Sequence, residues 1–140
     1  MNPSETKKII FICVGNSCRS PMAEAFARHL IQEKKLLFEA SSAGTMPAPR
    51  IDLKTIQVME EVGVSLEGIH PKPIDLERLF DYQFIINMGQ GVKETTPLLI
   101  LRSAPNWNIR DPVGRDINIF RQARDIIQQK IIDFFHTLNL

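Results

Sequence analysis

Hydrophobic and polar positions along the chain separate two kinds of segment. The first kind is short and apolar: Lys7–Cys13 reads KKIIFIC, which is the pattern of a strand buried on both faces. The second kind is helical, because apolar residues recur at every fourth position of residues 22–30 and predict a helix to about Lys35. Ser20 and Pro21 mark the start of this helix, since a hydroxyl can cap it and proline suits the first helical position.

Later segments continue the alternation of strands and helices. The predicted elements are a strand at 36–42, a helix at 52–62, a strand at 82–88, a fourth strand within 98–109 and a final helix from about Asp116. In the helix at 52–62, Ile56, Met59 and Val62 share one face. The core face of the final helix is predicted to comprise Ile119, Phe120, Ala123, Ile127, Ile131 and Phe134 or Phe135.

This order of elements indicates a fold class. Strands that alternate with helices predict a parallel sheet covered on both sides, which is an α/β three-layer sandwich with a four-stranded parallel sheet. No repeat, low-complexity segment or linker divides the chain, so we predict one domain over residues 1–140. Ligands bind outside the carboxyl ends of the strands in such sheets. The loop after the first strand is therefore the first candidate site.

Composition excludes several classes of protein. Hydrophobic residues make up 44% and charged residues 24% of the 140, as in an ordinary globular protein. The longest apolar run, residues 9–14, is far shorter than the about 20 residues of a membrane span. A net charge of +1 argues against binding to nucleic acid or to a membrane surface. Residues 1–8 are polar and carry no secretion signal, so we expect a reducing, cytoplasmic location.

Residues 13–20, which we call the oxyanion loop, read CVGNSCRS. Gly15 and Asn16 tolerate the positive φ that turns backbone N–H groups inward. Inward N–H groups and a helix N-terminus attract an anion, and Arg19 adds a planar guanidinium that grips two oxygens of a tetrahedral oxyanion. The loop therefore predicts a phosphate site that needs no metal. Its predicted oxyanion-binding residues besides Arg19 are Val14, Gly15, Asn16, Ser17, Cys18 and Ser20.

Two cysteines lie in this loop. A site built for a dianion also stabilises a thiolate, so Cys13 is predicted to be a nucleophile aimed at the centre of the oxyanion. Ser20 can donate a hydrogen bond to its sulfur and ease its later departure. For Cys18 two interpretations stay open: a packed buried thiol, or the partner in a reversible disulfide that shields Cys13 from over-oxidation. Zinc is not predicted, because two cysteines alone do not complete a site.

This loop resembles the signature of the low-molecular-weight protein tyrosine phosphatase family, including its arsenate reductase branch. The signature is a cysteine, five residues, an arginine and a serine or threonine, and here it reads Cys13, Arg19 and Ser20. The resemblance extends to residues 42–45, to the region of His70 and to 111–112, and so covers nearly the whole chain. It implies a flavodoxin-like sheet with strand order 2-1-3-4.

The resemblance also implies roles for single residues. Cys13 attacks phosphorus to form a phosphocysteine, Arg19 clamps the oxyanion and Asp111 acts as general acid and base. Pro112 suits this role of Asp111 because it keeps the preceding residue extended and stiffens the loop. A neighbouring dianion also favours the protonated form of an aspartate, which can then donate its proton.

A supporting hydrogen-bond network is implied as well. Its members are Asn16, Ser42 and His70. An asparagine in a left-handed conformation needs side-chain partners to stay there, which agrees with such a network around Asn16.

Two departures from the family pattern concern the substrate. Tyrosine phosphatases of this family carry aromatic residues after the Asp-Pro pair and after the serine loop, but here these segments read VGR at 113–115 and MPA at 46–48. Residues 107–112 (WNIRDP) look more like the arsenate reductase branch. Its thioredoxin-linked members relay electrons through two further cysteines after the third strand, and residues 88–94 (MGQGVKE) contain none. A reductase with this sequence needs an external thiol.

Three functions follow in order of preference. We expect cysteine-dependent hydrolysis of a phosphate monoester, with a phosphotyrosine protein or a small aryl phosphate as substrate and no cofactor. The alternative is arsenate reduction with an external thiol donor. A non-catalytic oxyanion-binding module is the least favoured, because a binder needs neither Cys13 nor Asp111.

Overall fold

The computed structural model of the chain describes residues 5–140. Residues 1–4 lie outside this described part. They belong to the polar segment 1–8 and to the predicted domain 1–140 of the sequence analysis. The helices and strands are β1 (Lys7–Cys13), α1 (Arg19–Lys34), β2 (Phe38–Gly44), α2 (Leu53–Glu61), β3 (Phe84–Gly89), α3 (Leu99–Ser103), β4 (Asn106–Ile109) and α4 (Ile117–Thr137). A 3₁₀ turn at Leu79–Asp81 precedes β3.

The four strands form one parallel sheet in the order β2-β1-β3-β4. β1 lies inside the sheet and pairs with β2 along its whole length, so that Cys13 at its end lies opposite Gly44. Its other neighbour is β3, from the Ile9–Phe84 pair to the Ile12–Asn87 pair. The predicted α/β class and strand order are confirmed. Because all strands run in one direction, the four loops that follow them meet at the carboxyl edge of the sheet.

Alternate residues of β1 enter two apolar clusters on opposite faces of the sheet. Ile9 and Phe11 belong to the larger cluster, and Ile10 and Ile12 belong to the smaller one. The larger cluster also contains, from α1, α2 and α4, Met22, Phe26, Val58, Met59, Phe120 and Ile127. The smaller one contains Leu79, Val92 and Leu101. Burial on both faces explains the continuous apolar pattern of β1.

The start of α1 differs from the prediction. The helix begins at Arg19, and Cys18 is the N-cap residue without a side-chain cap hydrogen bond. Ser20 lies inside the first turn, where its hydroxyl contacts the sulfur of Cys13. The prediction that Ser20 caps the helix is therefore wrong, because its hydroxyl serves the loop. Pro21 is the third helical residue and not the first as predicted, but it still lies in the first turn, where N–H groups have no helical partners.

Two strands begin later than predicted. β2 starts at Phe38 because α1 ends in a left-handed residue, Lys35 (φ 53°), and the N–H of Leu36 turns back to the carbonyl of Ile31 (2.9 Å). β3 starts at Phe84, after the 3₁₀ turn. The fourth strand lies within the predicted range, although the short helix α3 before it was not predicted.

The buried faces of the helices agree with the sequence pattern only in part. α2 buries Thr55, Val58 and Met59, whereas Val62 is exposed. The buried face is therefore shifted by about one residue from the predicted face of Ile56, Met59 and Val62, and that prediction is wrong. The shift arises because the hydroxyl of Thr55 donates a hydrogen bond to the oxyanion loop, which places Thr55 on the inner face. The predicted core face of α4 is confirmed for five residues that are buried in the structure: Phe120, Ala123, Ile127, Ile131 and Phe135. Ile119 of the same predicted face is only partly buried. No helix within residues 5–140 is long and apolar enough for a bilayer crossing.

Candidate active site

The oxyanion loop is held from outside by the segment that follows β2. Four of its carbonyl groups accept hydrogen bonds from backbone N–H groups of residues 45–52, which we call the outer segment. The pairs are Thr45 to Cys13 (3.0 Å), Met46 to Val14 (2.9 Å), Ala48 to Gly15 (2.8 Å) and Asp52 to Ser17 (3.1 Å). Since these carbonyl groups point outward, the N–H groups of the loop turn to its inner side. This is the backbone arrangement of an anion nest.

Close backbone approach makes this pairing possible. A Cβ atom on Gly44 would lie 2.5 Å from the carbonyl oxygen of Val14, so only glycine fits at this position. Asn16 takes the left-handed conformation (φ 50°) that turns the loop. Gly15 does not have a positive φ, so the predicted reason for a glycine there is wrong.

Cys13 lies at the end of β1, at the floor of the loop, and is buried. Its sulfur accepts a hydrogen bond from the N–H of Asn16 (3.2 Å) and is 2.8 Å from the hydroxyl of Ser20. Because the amide of Asn16 donates to the Ser20 oxygen (2.7 Å), the Ser20 proton is free to point at the sulfur. Both donors are thus directed at the sulfur from the loop and from the first turn of α1.

A chain of buried polar side chains continues from Asn16 away from the loop. Its Nδ2 also donates to Ser42 (3.0 Å), and its Oδ1 accepts the backbone N–H of Lys72 (3.0 Å). Ser42 in turn donates to a carboxylate oxygen of Glu24 (2.6 Å). The Glu24 residue is 1% exposed and forms a salt bridge with Arg28. The side chain of Asn16 is thus fixed at both ends, which holds its strained backbone conformation in place.

The structure brings Asn16 and Ser42 together but leaves His70 out of the network. His70 is exposed, and the position at Asn16 Oδ1 is taken by the backbone of Lys72. The predicted role of His70 is therefore corrected. Glu24 was missed, although its spacing of four residues from Ser20 places both side chains on one face of α1. That spacing is the signal that could have revealed it.

Arg19 extends across the carboxyl edge toward the end of β4. Its side chain is 2% exposed, and one guanidinium nitrogen donates to the carbonyl of Ile109 (3.0 Å). The other terminal nitrogen is 3.8 Å from a carboxylate oxygen of Asp111. One edge of the guanidinium is thus anchored, and the group is oriented before any anion binds.

Asp111 follows β4 in residues 110–116, which we call the acid loop. Its side chain is 34% exposed, and its Oδ1 accepts the N–H of Val113 (3.1 Å). Its own N–H donates to the side-chain oxygen of Gln90 (2.9 Å). The predicted clamp and the predicted acid thus face each other at one edge of the sheet. Gln90 was not among the predicted residues, and its contact with Asp111 has no signal in the sequence.

Cys18 differs from Cys13 in its surroundings. Burial raises the pKa of the Cys18 thiol to about 12, and the hydroxyl of Ser17 is 3.7 Å from its sulfur. Cys18 therefore stays protonated at neutral pH, and both cysteines are free thiols in the structure. These observations favour the packed-thiol interpretation of Cys18.

Two exposed residues at the rim of the site are apolar but not aromatic. Met46 of the outer segment is 62% exposed, and Val113 of the acid loop is 53% exposed. Within residues 5–140 no cluster of three or more His, Cys, Asp or Glu side chains has the arrangement of a metal site. A buried cysteine under an anion nest, with a guanidinium and a carboxyl group beside it, defines a class of proteins that can bind a tetrahedral oxyanion.

Comparisons with known proteins agree with this class. The family model described as low molecular weight phosphotyrosine protein phosphatase matches residues 8–140. A glutaredoxin arsenate reductase from Synechocystis sp. is 32% identical over 126 residues, which cover 89% of this chain and 93% of that protein. A solved arsenate reductase in the phosphate binding state is 30% identical with a TM-score of 0.77, covering 94% of this chain and 98% of that one.

A further solved structure shares the fold at lower identity. A YwlE mutant from Bacillus subtilis superimposes with a TM-score of 0.83 at 23% identity, covering 96% of this chain and 99% of that one. The chain belongs to the low molecular weight phosphotyrosine protein phosphatase family.

Proposed function

We propose that this enzyme hydrolyses phosphate monoesters through a phosphocysteine on Cys13. The observation that carries the proposal is the spatial relation of three groups. The Cys13 sulfur lies under the nest, Arg19 is anchored beside it, and Asp111 faces Arg19 at 3.8 Å. A module that only binds oxyanions needs the N–H groups and Arg19, but neither the sulfur nor the carboxyl group.

The first half of the reaction transfers the phosphoryl group to sulfur. The Cys13 thiolate attacks phosphorus while the bond from phosphorus to the ester oxygen breaks. Protonated Asp111 gives its proton to that oxygen, so an alcohol or phenol leaves. Arg19 and the loop N–H groups hold the three equatorial oxygens, where charge accumulates in the transition state.

The second half returns the enzyme to its starting state. Asp111, now ionised, takes a proton from water, and the resulting hydroxide attacks phosphorus. The phosphorus–sulfur bond breaks and inorganic phosphate is released. Ser20 stabilises the departing thiolate, since the Asn16 amide leaves its hydroxyl proton free for the sulfur.

The rim supports a phosphotyrosine protein or another aryl phosphate as substrate. Met46 and Val113 offer apolar contact to an aryl group, but no aromatic side chain occupies these two positions. We infer weaker stacking on the ring than an aromatic wall gives, and hence broad rather than strict selection for phosphotyrosine.

Arsenate reduction is the second candidate, and the arsenate reductases among the relatives favour it. In this reaction the Cys13 thiolate attacks arsenic to form a sulfur–arsenic bond, and a hydroxyl group of arsenate takes a proton from Asp111 and leaves as water. An external thiol then attacks the Cys13 sulfur, arsenite leaves with the bonding electron pair, and a mixed disulfide forms. A second external thiol reduces that disulfide. Cys18 is a poor attacking group because its pKa is about 12, and residues 88–94 contain no cysteine.

One pair of assays separates these functions. We expect p-nitrophenyl phosphate to be hydrolysed at mildly acid pH in the presence of a chelator, and we expect Cys13→Ser to abolish the activity. No turnover of any phosphate ester, together with arsenate-dependent consumption of glutathione or of a glutaredoxin, would establish the second function instead. Phosphate binding without either activity would leave only the binding module.

A further inference from the structure

Gln90 makes a contact with the acid loop that the reaction steps above do not use. We propose that Gln90 is a positioning residue for Asp111, because its side-chain oxygen holds the Asp111 backbone and thereby directs the carboxyl group to the leaving group. The proposal rests on the proposed phosphatase function. It adds a residue from the loop after β3.

Three contacts fix Asp111, and each constrains a different atom. The backbone N–H donates to Gln90 Oε1 (2.9 Å), and Oδ1 accepts the N–H of Val113 (3.1 Å). The remaining oxygen, Oδ2, is 3.8 Å from the Arg19 guanidinium and is the one free to carry the proton. Without Gln90 the backbone N–H of Asp111 loses its acceptor, and only the two side-chain contacts remain to direct Oδ2.

The backbone next to Gln90 is itself rigid. Gly89 has a φ of 125°, and a Cβ atom there would lie 2.6 Å from the backbone nitrogen of Ile109, so the ends of β3 and β4 are in direct contact. The N–H of Gly89 donates to Asn87 Oδ1 (2.8 Å), and Asn87 is buried. Gln90 therefore projects from a fixed point one residue beyond the strand.

The other end of the acid loop is anchored independently. Lys54 at the start of α2 donates to the carbonyl of Arg115 (2.5 Å), and its ammonium group lies 5.6 Å from the centre of the Phe120 ring. Only the Asp111 end thus depends on Gln90. A proton donor must lie within hydrogen-bond reach of the leaving oxygen, and a displacement of about 1 Å can cost roughly 100-fold in rate.

The test compares leaving groups in Gln90→Leu, which removes the acceptor. We expect kcat/KM for phenyl phosphate, a poor leaving group, to fall roughly 10- to 100-fold, since its departure needs the proton. For 2,4-dinitrophenyl phosphate we expect a change of no more than about twofold, because that leaving group departs without a proton. Inhibition by inorganic phosphate should be unchanged. Gln90→Glu keeps an acceptor oxygen and should restore most of the lost rate.

Gln83 provides a matched control. It is also an exposed glutamine whose side-chain oxygen accepts a backbone N–H, that of Lys8 (2.7 Å), but at the opposite edge of the sheet. Gln83→Leu should leave the ratio between the two substrates unchanged. In an Asp111→Asn background, Gln90→Leu should have no further effect, because the two residues act as one unit. An equal loss for both substrates, or the same loss in the Asp111→Asn background, would overturn the proposal.

Hydrogen exchange at the Asp111 amide separates this proposal from the proposed function. We expect exchange measured by NMR to accelerate about tenfold or more in Gln90→Leu and not in Gln83→Leu, because the amide loses its acceptor. If the unmodified protein hydrolyses no phosphate ester, the proposed function fails. An unchanged exchange rate at Asp111 refutes the role of Gln90 whatever the activity is.

Discussion

Adding one methyl group at Gly44 tests whether the backbone of the oxyanion loop must lie where it does. The new Cβ of Gly44→Ala would be 2.5 Å from the Val14 carbonyl oxygen, whereas an ordinary contact begins at 3.4 Å. The loop or β2 must therefore move by about 0.9 Å. Overpacking of this kind costs about 1–3 kcal/mol of stability, and a displacement near 1 Å at a reacting centre costs roughly 100-fold in rate.

The assay follows kcat/KM for p-nitrophenyl phosphate, the phosphate inhibition constant and the melting temperature. In Gly44→Ala we expect kcat/KM to fall roughly 100-fold, phosphate to bind more weakly and Tm to drop by roughly 3–10 °C. The control is Gly68→Ala, which also adds a methyl group but meets no atom within 4 Å, although its φ of 78° lowers stability. It should lose stability without losing activity. Normal activity in Gly44→Ala would refute the argument that the outer segment sets the loop geometry.

Three further substitutions have definite expected outcomes. Asp111→Asn should lower kcat/KM for phenyl phosphate by roughly 10²–10⁴ while sparing phosphate affinity, and an unchanged rate would remove Asp111 from the acid role. Arg19→Lys should lower kcat by roughly 10²–10³, because an ammonium cannot bond the Ile109 carbonyl and grip two phosphate oxygens together; near-normal turnover would contradict the clamp. Cys18 is a thiol with a pKa raised to about 12, so the protonated form is favoured in the folded state. Its contribution to stability is complete below the unfolded-state pKa, near 9.0, and is lost as the pH rises toward 12, by about 1.4 kcal/mol per pH unit. Cys18→Ala should remove this part of the alkaline decline in unfolding free energy, and identical pH dependences in the two proteins would disprove it.

The parts of the site that are local in sequence were predictable. The strand, the loop and the helix around Cys13 lie within one continuous segment, and their residue types carry the chemistry directly. The strand order was predicted from the family resemblance, which extends over nearly the whole chain.

Contacts between distant segments were not predictable in the same way. Glu24 is a charged residue in a helix interior, and only its pairing with Ser42 and Arg28 explains its burial. Gln90 meets Asp111 because β3 and β4 end side by side, which the spacing along the chain does not indicate. The predicted network role of His70 is wrong because a backbone group takes its place: the N–H of Lys72 donates to the Asn16 side chain, where the histidine was expected. Of the two predicted roles of the Ser20 hydroxyl, the contact with the Cys13 sulfur is confirmed and the cap of the helix is wrong.

The hydrogen bond from Arg19 to the Ile109 carbonyl has a consequence for how the protein acquires its activity. The two residues are 90 positions apart, and Ile109 ends the last strand to be synthesised. A chain that has docked only β1, β2 and β3 holds a guanidinium without its anchor and has no acid loop. We therefore expect a chain whose β4 has not docked to show no phosphatase activity, and we expect phosphate to stabilise only the completed sheet.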